Sequence, residues 1–87
     1  MRLIDAAEVR ANLTYELCIP VVRAAMIALS AGQTRQLLRS IMHFEDGRML
    51  GWMPGAMGEH AAVGAKVLSV FPRNGEVGRP SHQGVVL

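Results

Sequence analysis

The chain predicts an α+β fold, with two N-terminal helices packed on a mainly antiparallel sheet. Three observations point to it. Up to Ala31 the apolar residues recur at three- and four-residue steps, the spacing of one helix face. After Gly32 that spacing gives way to short apolar runs divided by Gly and Pro, which read as strands. Asp46-Gly47 lies between two such runs, and a hairpin's type I′ turn favours that pair because both central residues need positive φ.

Each element follows from local chemistry. Arg2-Leu3-Ile4-Asp5 reads as a short strand or extended lead-in. Asp5 then caps a brief helix, with Glu8 three residues on at capping-box spacing and Leu3 or Ile4 set to staple against Val9. Thr14 caps a second helix whose stripe is Leu17, Cys18, Val21, Val22, Ala25, Met26 and Leu29. Pro20 interrupts it, because proline removes a hydrogen bond and crowds the preceding turn. The expectation is a helix that starts near Ile19 or kinks there. Gly32 suits the position just past the helix end. Gln36 to Phe44 reads as one strand, Glu45 to Arg48 as the turn, and Met49 to Pro54 as the return strand. Pro54 should end regular pairing or lie on an edge, and Gly55 to Glu59 should turn. The next strand centres on Lys66 and closes at Phe71-Pro72. A loop follows from Arg73 to Pro80, and a last strand begins near His82 and is still running at Val85-Val86-Leu87. A strand ending on three apolar residues predicts the front part of a larger protein, with this chain a truncated N-terminal domain.

Composition narrows the function. Eighty-seven residues suffice for one small domain, and 51% hydrophobic content argues against disorder. So much aliphatic surface on so short a chain calls for a partner chain or further sequence to cover it. The arginines are scattered, with no basic run and no interleaved aromatics, so nucleic acid is not expected as a partner. Cys18 is the sole cysteine, which rules out an internal disulfide and suits a reducing, cytoplasmic setting. No apolar run reaches membrane-spanning length, and no membrane partner is expected. His43, His60 and His82 lack ligand spacing, so no metal site is expected. Met42, Met49, Met57 and Trp52 read as packing residues.

The chemistry centres on Lys66, the sole lysine, inside Ala62-Val63-Gly64-Ala65-Lys66-Val67-Leu68-Ser69-Val70-Phe71. Two readings stand. It lies on a wet face or sheet edge, where lysine discourages strand-to-strand aggregation. Alternatively it sits in a partly dry pocket, where a lysine gives up its proton more readily and works as acid or base.

Beyond these local readings, Leu38-Arg39-Ser40, Trp52-Met53-Pro54, Gly64-Ala65-Lys66-Val67-Leu68-Ser69-Val70-Phe71-Pro72 and Gly78-Arg79-Pro80-Ser81-His82-Gln83-Gly84 resemble, in order, the N-terminal region of the ornithine cyclodeaminase/mu-crystallin family. The Gly-x-Lys-x-x-Ser-x-Phe-Pro block is the most specific piece. The resemblance implies NAD(P)-dependent homodimeric enzymes, or ligand-binding relatives, with an N-terminal substrate-binding and dimerisation domain before a Rossmann domain. It implies that Arg39 binds the substrate carboxylate, that Lys66 acts as acid/base beside the reacting carbon, that Met53 lines the substrate pocket and that Ser81 lies near the NAD or NADP. The substrate it implies is a small amino or imino acid. Ornithine to proline plus ammonia is the first reaction. Reduction of cyclic ketimines such as pyrroline-2-carboxylate, or an alanine dehydrogenase-like activity, is an alternative, and a non-catalytic mu-crystallin-like role is another. Pro-Ser-His-Gln-Gly departs from the threonine-bearing version of true cyclodeaminases, which leaves the substrate open. No Gly-x-Gly-x-x-Gly occurs in these 87 residues, so no dinucleotide-binding domain is expected among them.

Residue chemistry agrees with these roles. Arginine offers two parallel donors to a planar carboxylate. Arg39 and Lys66 are expected on neighbouring strands, with both side chains on one face.

Overall fold

A computed structural model describes residues 1–58 and 62–87. The fold is α+β, with two helices followed by a five-stranded antiparallel sheet. It divides into two units, Met1–Gln33 and Thr34–Leu87.

In the helical unit, α1 spans Ala6–Asn12 and α2 spans Tyr15–Ser30. Residues 1–5 form no strand. Asp5 caps α1 by accepting the Glu8 N–H at 2.9 Å. Only half of the expected capping box forms, because the Glu8 carboxylate is taken by the Arg2 guanidinium. Thr14 caps α2, its hydroxyl accepting the Leu17 N–H at 3.3 Å. Contrary to the expected late start, α2 runs through Pro20. The ring sits only one turn beyond the capped end, so the carbonyl it fails to serve is that of Glu16, in the first turn. At the far end the Gly32 N–H reaches the Leu29 carbonyl and the Gln33 N–H reaches that of Ala28, a Schellman closure. Gly32 supplies the φ of +71° that this closure needs.

The second unit is a sheet of β1 (Thr34–Gln36), β2 (Ser40–His43), β3 (Met49–Met57), β4 (Ala62–Val70) and β5 (His82–Val86). Its order is β1-β3-β4-β5, and β2 also pairs with β3. Between β2 and β3 the turn is as expected, with Asp46 at φ 62° and Gly47 at φ 71°. The Arg48 N–H closes it on the Glu45 carbonyl.

Three expectations fail here. The single strand over Gln36 to Phe44 is two strands with 37–39 unpaired between them. Gln36 opposes Gly55 while Ser40 opposes Trp52, so three residues face two. The extra residue breaks the ladder in the manner of a bulge, and Leu38 is left 93% exposed. The return strand does not stop at Pro54 and Gly55 does not begin a turn. Instead β3 continues to Met57, because β1 pairs with its far end. The described part of that turn is Gly58, and Glu59 lies outside the described residues. Finally, Arg73 to Pro80 is partly ordered as a short 3₁₀ helix over Pro72–Val77, capped by Gly78 at φ 71°.

Pro54 therefore occupies a central strand, and the hydrogen-bond phase explains how. Ala65 and Leu87 exchange both backbone bonds, at 3.1 and 2.8 Å. Ala65 thus directs its polar groups toward β5, and its partner Pro54 directs its imide nitrogen away from β4. The missing donor faces the gap left by 37–39. Proline is accommodated where no acceptor waits.

Burial is low throughout. Gly51 alone is buried among the described residues, and large apolar side chains such as Leu3, Val63 and Val86 are more than 70% exposed.

Candidate functional site

Met53 and Lys66 are direct partners across β3 and β4. Since opposed residues share a face, their side chains leave the sheet on the same side. Lys66 also opposes Val86 on β5. Arg39 is not on a strand neighbouring β4, as had been expected. It ends the unpaired segment just before Ser40, and β3 lies between it and Lys66. The row that the ladders define is Met53, Lys66 and Val86, and Arg39 stands outside it, one residue before the first β2–β3 pair at Ser40 and Trp52. β2 and β4 are two inter-strand spacings apart, roughly 10 Å between backbones.

The alternation of the strands also fixes what surrounds this row. Gly51 and Gly55 flank Met53 two residues either way, Gly64 flanks Lys66, and Gly84 flanks Val86, all on the same face. Met53 and Lys66 therefore rise beside a floor that lacks side chains at four neighbouring positions. At Gly51 and Gly55 an added Cβ would make ordinary contacts, the nearest being Leu68 Cδ2 at 3.6 Å and the Arg35 carbonyl oxygen at 3.7 Å. Gly64 and Gly84 are different, since a Cβ there would meet the Leu87 and Val67 carbonyl oxygens at 2.5 and 2.7 Å. A cleft of about 640 Å³ at the β1 end of the sheet is lined by residues that include Leu37, Pro54, Ala56 and Val63 and by none of Arg39, Met53 and Lys66. Arg39 and Lys66 are exposed and Met53 is half-buried.

A guanidinium beside β2 and an ammonium on β4, with Met53 on the intervening β3, suit a small molecule bearing a carboxylate at one end. Arg39 has the donor geometry for that carboxylate. Lys66 can give or take one proton at the opposite end.

Ser81 lies elsewhere, immediately before β5, and is half-buried. Its backbone is fixed by the Phe71 N–H, which donates to the Ser81 carbonyl at 2.8 Å. Its hydroxyl meets His82 Nδ1 at 2.9 Å, a contact between sequence neighbours that the motif reading passed over. Ser81 belongs with neither the register row nor the cleft. A single hydroxyl fits one contact to a nucleotide. An antiparallel sheet without a strand–Gly-rich turn–helix unit does not fit a pyrophosphate cradle. Among the described residues no group of three or more His, Cys, Asp or Glu side chains is placed to hold a metal.

A family model described as "Ornithine cyclodeaminase/mu-crystallin family" matches residues 2–87. The solved structure of Thermococcus litoralis Delta(1)-pyrroline-2-carboxylate reductase, in complex with NADH and L-proline, is similar with a TM-score of 0.88 at 26% sequence identity. The similarity covers 100% of this chain and 27% of that chain. No curated protein matches the sequence.

Proposed function

We propose, from the premise that this chain belongs to the ornithine cyclodeaminase/mu-crystallin family, that it is the N-terminal substrate-binding part of an NAD(P)-dependent enzyme acting on a small α-amino or cyclic imino acid. The observation that carries this reading is the pairing of Met53 with Lys66 on one face of the sheet, with Arg39 just before the strand that pairs with the other side of β3. Arg39 holds the substrate carboxylate, Met53 lies under its carbon skeleton, and Lys66 moves a proton at its nitrogen or at water. Ser81 touches the nucleotide. NAD or NADP supplies the hydride when bound, and its phosphates are held by residues outside these 87. The protein works as a cytoplasmic homodimer. The unburied apolar side chains support a covering partner, and the lone Cys18 suits a reducing compartment.

Two reactions use this arrangement. In ornithine cyclodeamination the α-carbon is oxidised, the ring closes with loss of ammonia, and the ring imine is reduced again, with no net redox change. In ketimine reduction, pyrroline-2-carboxylate gains a hydride at carbon and a proton at nitrogen to give proline. The similarity to a reductase solved with NADH and L-proline favours the second.

The test is made on the full-length enzyme. Pyrroline-2-carboxylate should oxidise NAD(P)H, and Lys66→Met should lower kcat by about 100-fold or more, the range of one lost acid/base group. Proline formed from ornithine without net nucleotide turnover would select cyclodeamination instead. Turnover unaffected by Lys66→Met would reject the catalytic role of Lys66, and binding of a small carboxylate with no turnover would favour a mu-crystallin-like protein in which Arg39 and Lys66 only anchor an anion.

A further inference from the structure

We propose that His82 is a positioning residue for Ser81, fixing the direction of its hydroxyl. This rests on the reading above that Ser81 touches the nucleotide.

The backbone around Ser81 is held tightly and its hydroxyl is not. The Arg79 N–H donates to the Asn74 carbonyl at 2.9 Å, and the Asn74 side-chain amide returns a bond to the Pro80 carbonyl at 3.1 Å. The Phe71 N–H then ties down Ser81 itself. These bonds fix where Cβ stands, yet a serine hydroxyl still rotates about its own bond. The one side-chain partner described for Oγ is His82 Nδ1 at 2.9 Å. One proton lies between the two atoms. With the ring proton on Nε2, Nδ1 accepts from the hydroxyl, and Oγ turns its lone pairs to a ligand. With the proton on Nδ1, the ring donates and the hydroxyl proton is free to reach a ligand acceptor. In either state the rotor is locked, which lowers the ordering cost when a ligand arrives.

His82 is well placed to do this without touching the ligand. It is the first residue of β5 and opposes Val70 of β4, so the strand ladder holds its backbone. It need only present one ring nitrogen to its neighbour.

The full-length enzyme is tested with Ser81→Ala, His82→Leu, the double variant and His82→Asn, whose side-chain amide can reach the position of Nδ1. Ser81→Ala and His82→Leu should each raise the NAD(P)H KM about 5- to 10-fold, the worth of one hydrogen bond near 1 kcal/mol, with kcat little changed. The double variant should be no worse than either single one, and His82→Asn should return KM to within about 2-fold of wild type. Independently of activity, ¹⁵N shifts of the His82 ring should show a hydrogen-bonded Nδ1 that becomes free in Ser81→Ala. An unchanged KM in His82→Leu alongside a raised one in Ser81→Ala would overturn the positioning role and leave the Ser81 assignment standing. An unchanged KM in Ser81→Ala would reject that assignment, and the positioning role with it. Failure of His82→Asn to rescue would show that the imidazole acts by packing, and would also overturn the proposal.

Discussion

Gly84→Ala is the substitution whose effect the sheet geometry defines most sharply. Gly84 opposes Leu68 across β4 and β5. A Cβ at this position would lie 2.7 Å from the Val67 carbonyl oxygen, 3.1 Å from Leu68 Cβ and 3.3 Å from Leu68 Cα. The obstacles are backbone and near-backbone atoms, so no side chain can swing away. The two strands must separate by several tenths of an ångström, against an optimal contact of ~3.5 Å. Overpacking of this kind costs about 1–3 kcal/mol, and the stiffer unfolded chain returns about 0.4–1 kcal/mol. The net expectation is a loss of about 1–2 kcal/mol, or a drop in Tm of about 4–16 °C for a chain this size. Gly75→Ala is the control. An added Cβ there meets nothing within 4 Å and its φ is ordinary, so it should be neutral or stabilising by about 0.4–1 kcal/mol. Urea unfolding followed through Trp52, the sole tryptophan, compares the two. A Gly84→Ala midpoint equal to that of Gly75→Ala would refute the close approach of β4 and β5.

Other outcomes follow from the site and from α2. In the full-length enzyme Arg39→Lys should raise the KM of the carboxylate substrate about 10-fold or more with a smaller change in kcat, because an ammonium cannot offer two parallel donors. An unchanged KM would remove Arg39 from the carboxylate site. Pro20→Ala should raise the unfolding free energy read from urea titration by about 1 kcal/mol, less than the ~3 kcal/mol of a mid-helix proline because the ring lies near the helix start. A lowered midpoint would mean that proline stabilises α2 at that position.

Much of this fold is legible locally. The Asp5 and Thr14 caps, the Gly32 closure and the Asp46-Gly47 turn each depend on a few adjacent residues, and each forms where its chemistry places it. The strand carrying Lys66 is likewise bounded by its own composition. The misreadings share one cause. Leu37 and Leu38 look like strand residues and Pro54 looks like a strand end, but both judgements treat each segment alone. Thr34–Gln36 pairs with Gly55–Met57 across some twenty residues of chain, and that pairing extends β3 past its proline. No local signal announces it. The contact of His82 with Ser81 is hidden from the sequence for a similar reason, since it depends on the side-chain orientation at the β5 start.

The sequence by itself determined the order and kind of the elements, the family and the residue types able to hold a carboxylate and move a proton, because caps, turns and apolar periods act over a few residues. Only the tertiary structure decided that Met53 and Lys66 are paired on one face, and that Pro54 lies inside the sheet with its nitrogen turned to a gap. Register is the physical reason. A shift of one residue sends every side chain of a strand to the opposite face, and the choice among registers is made by all the strands together.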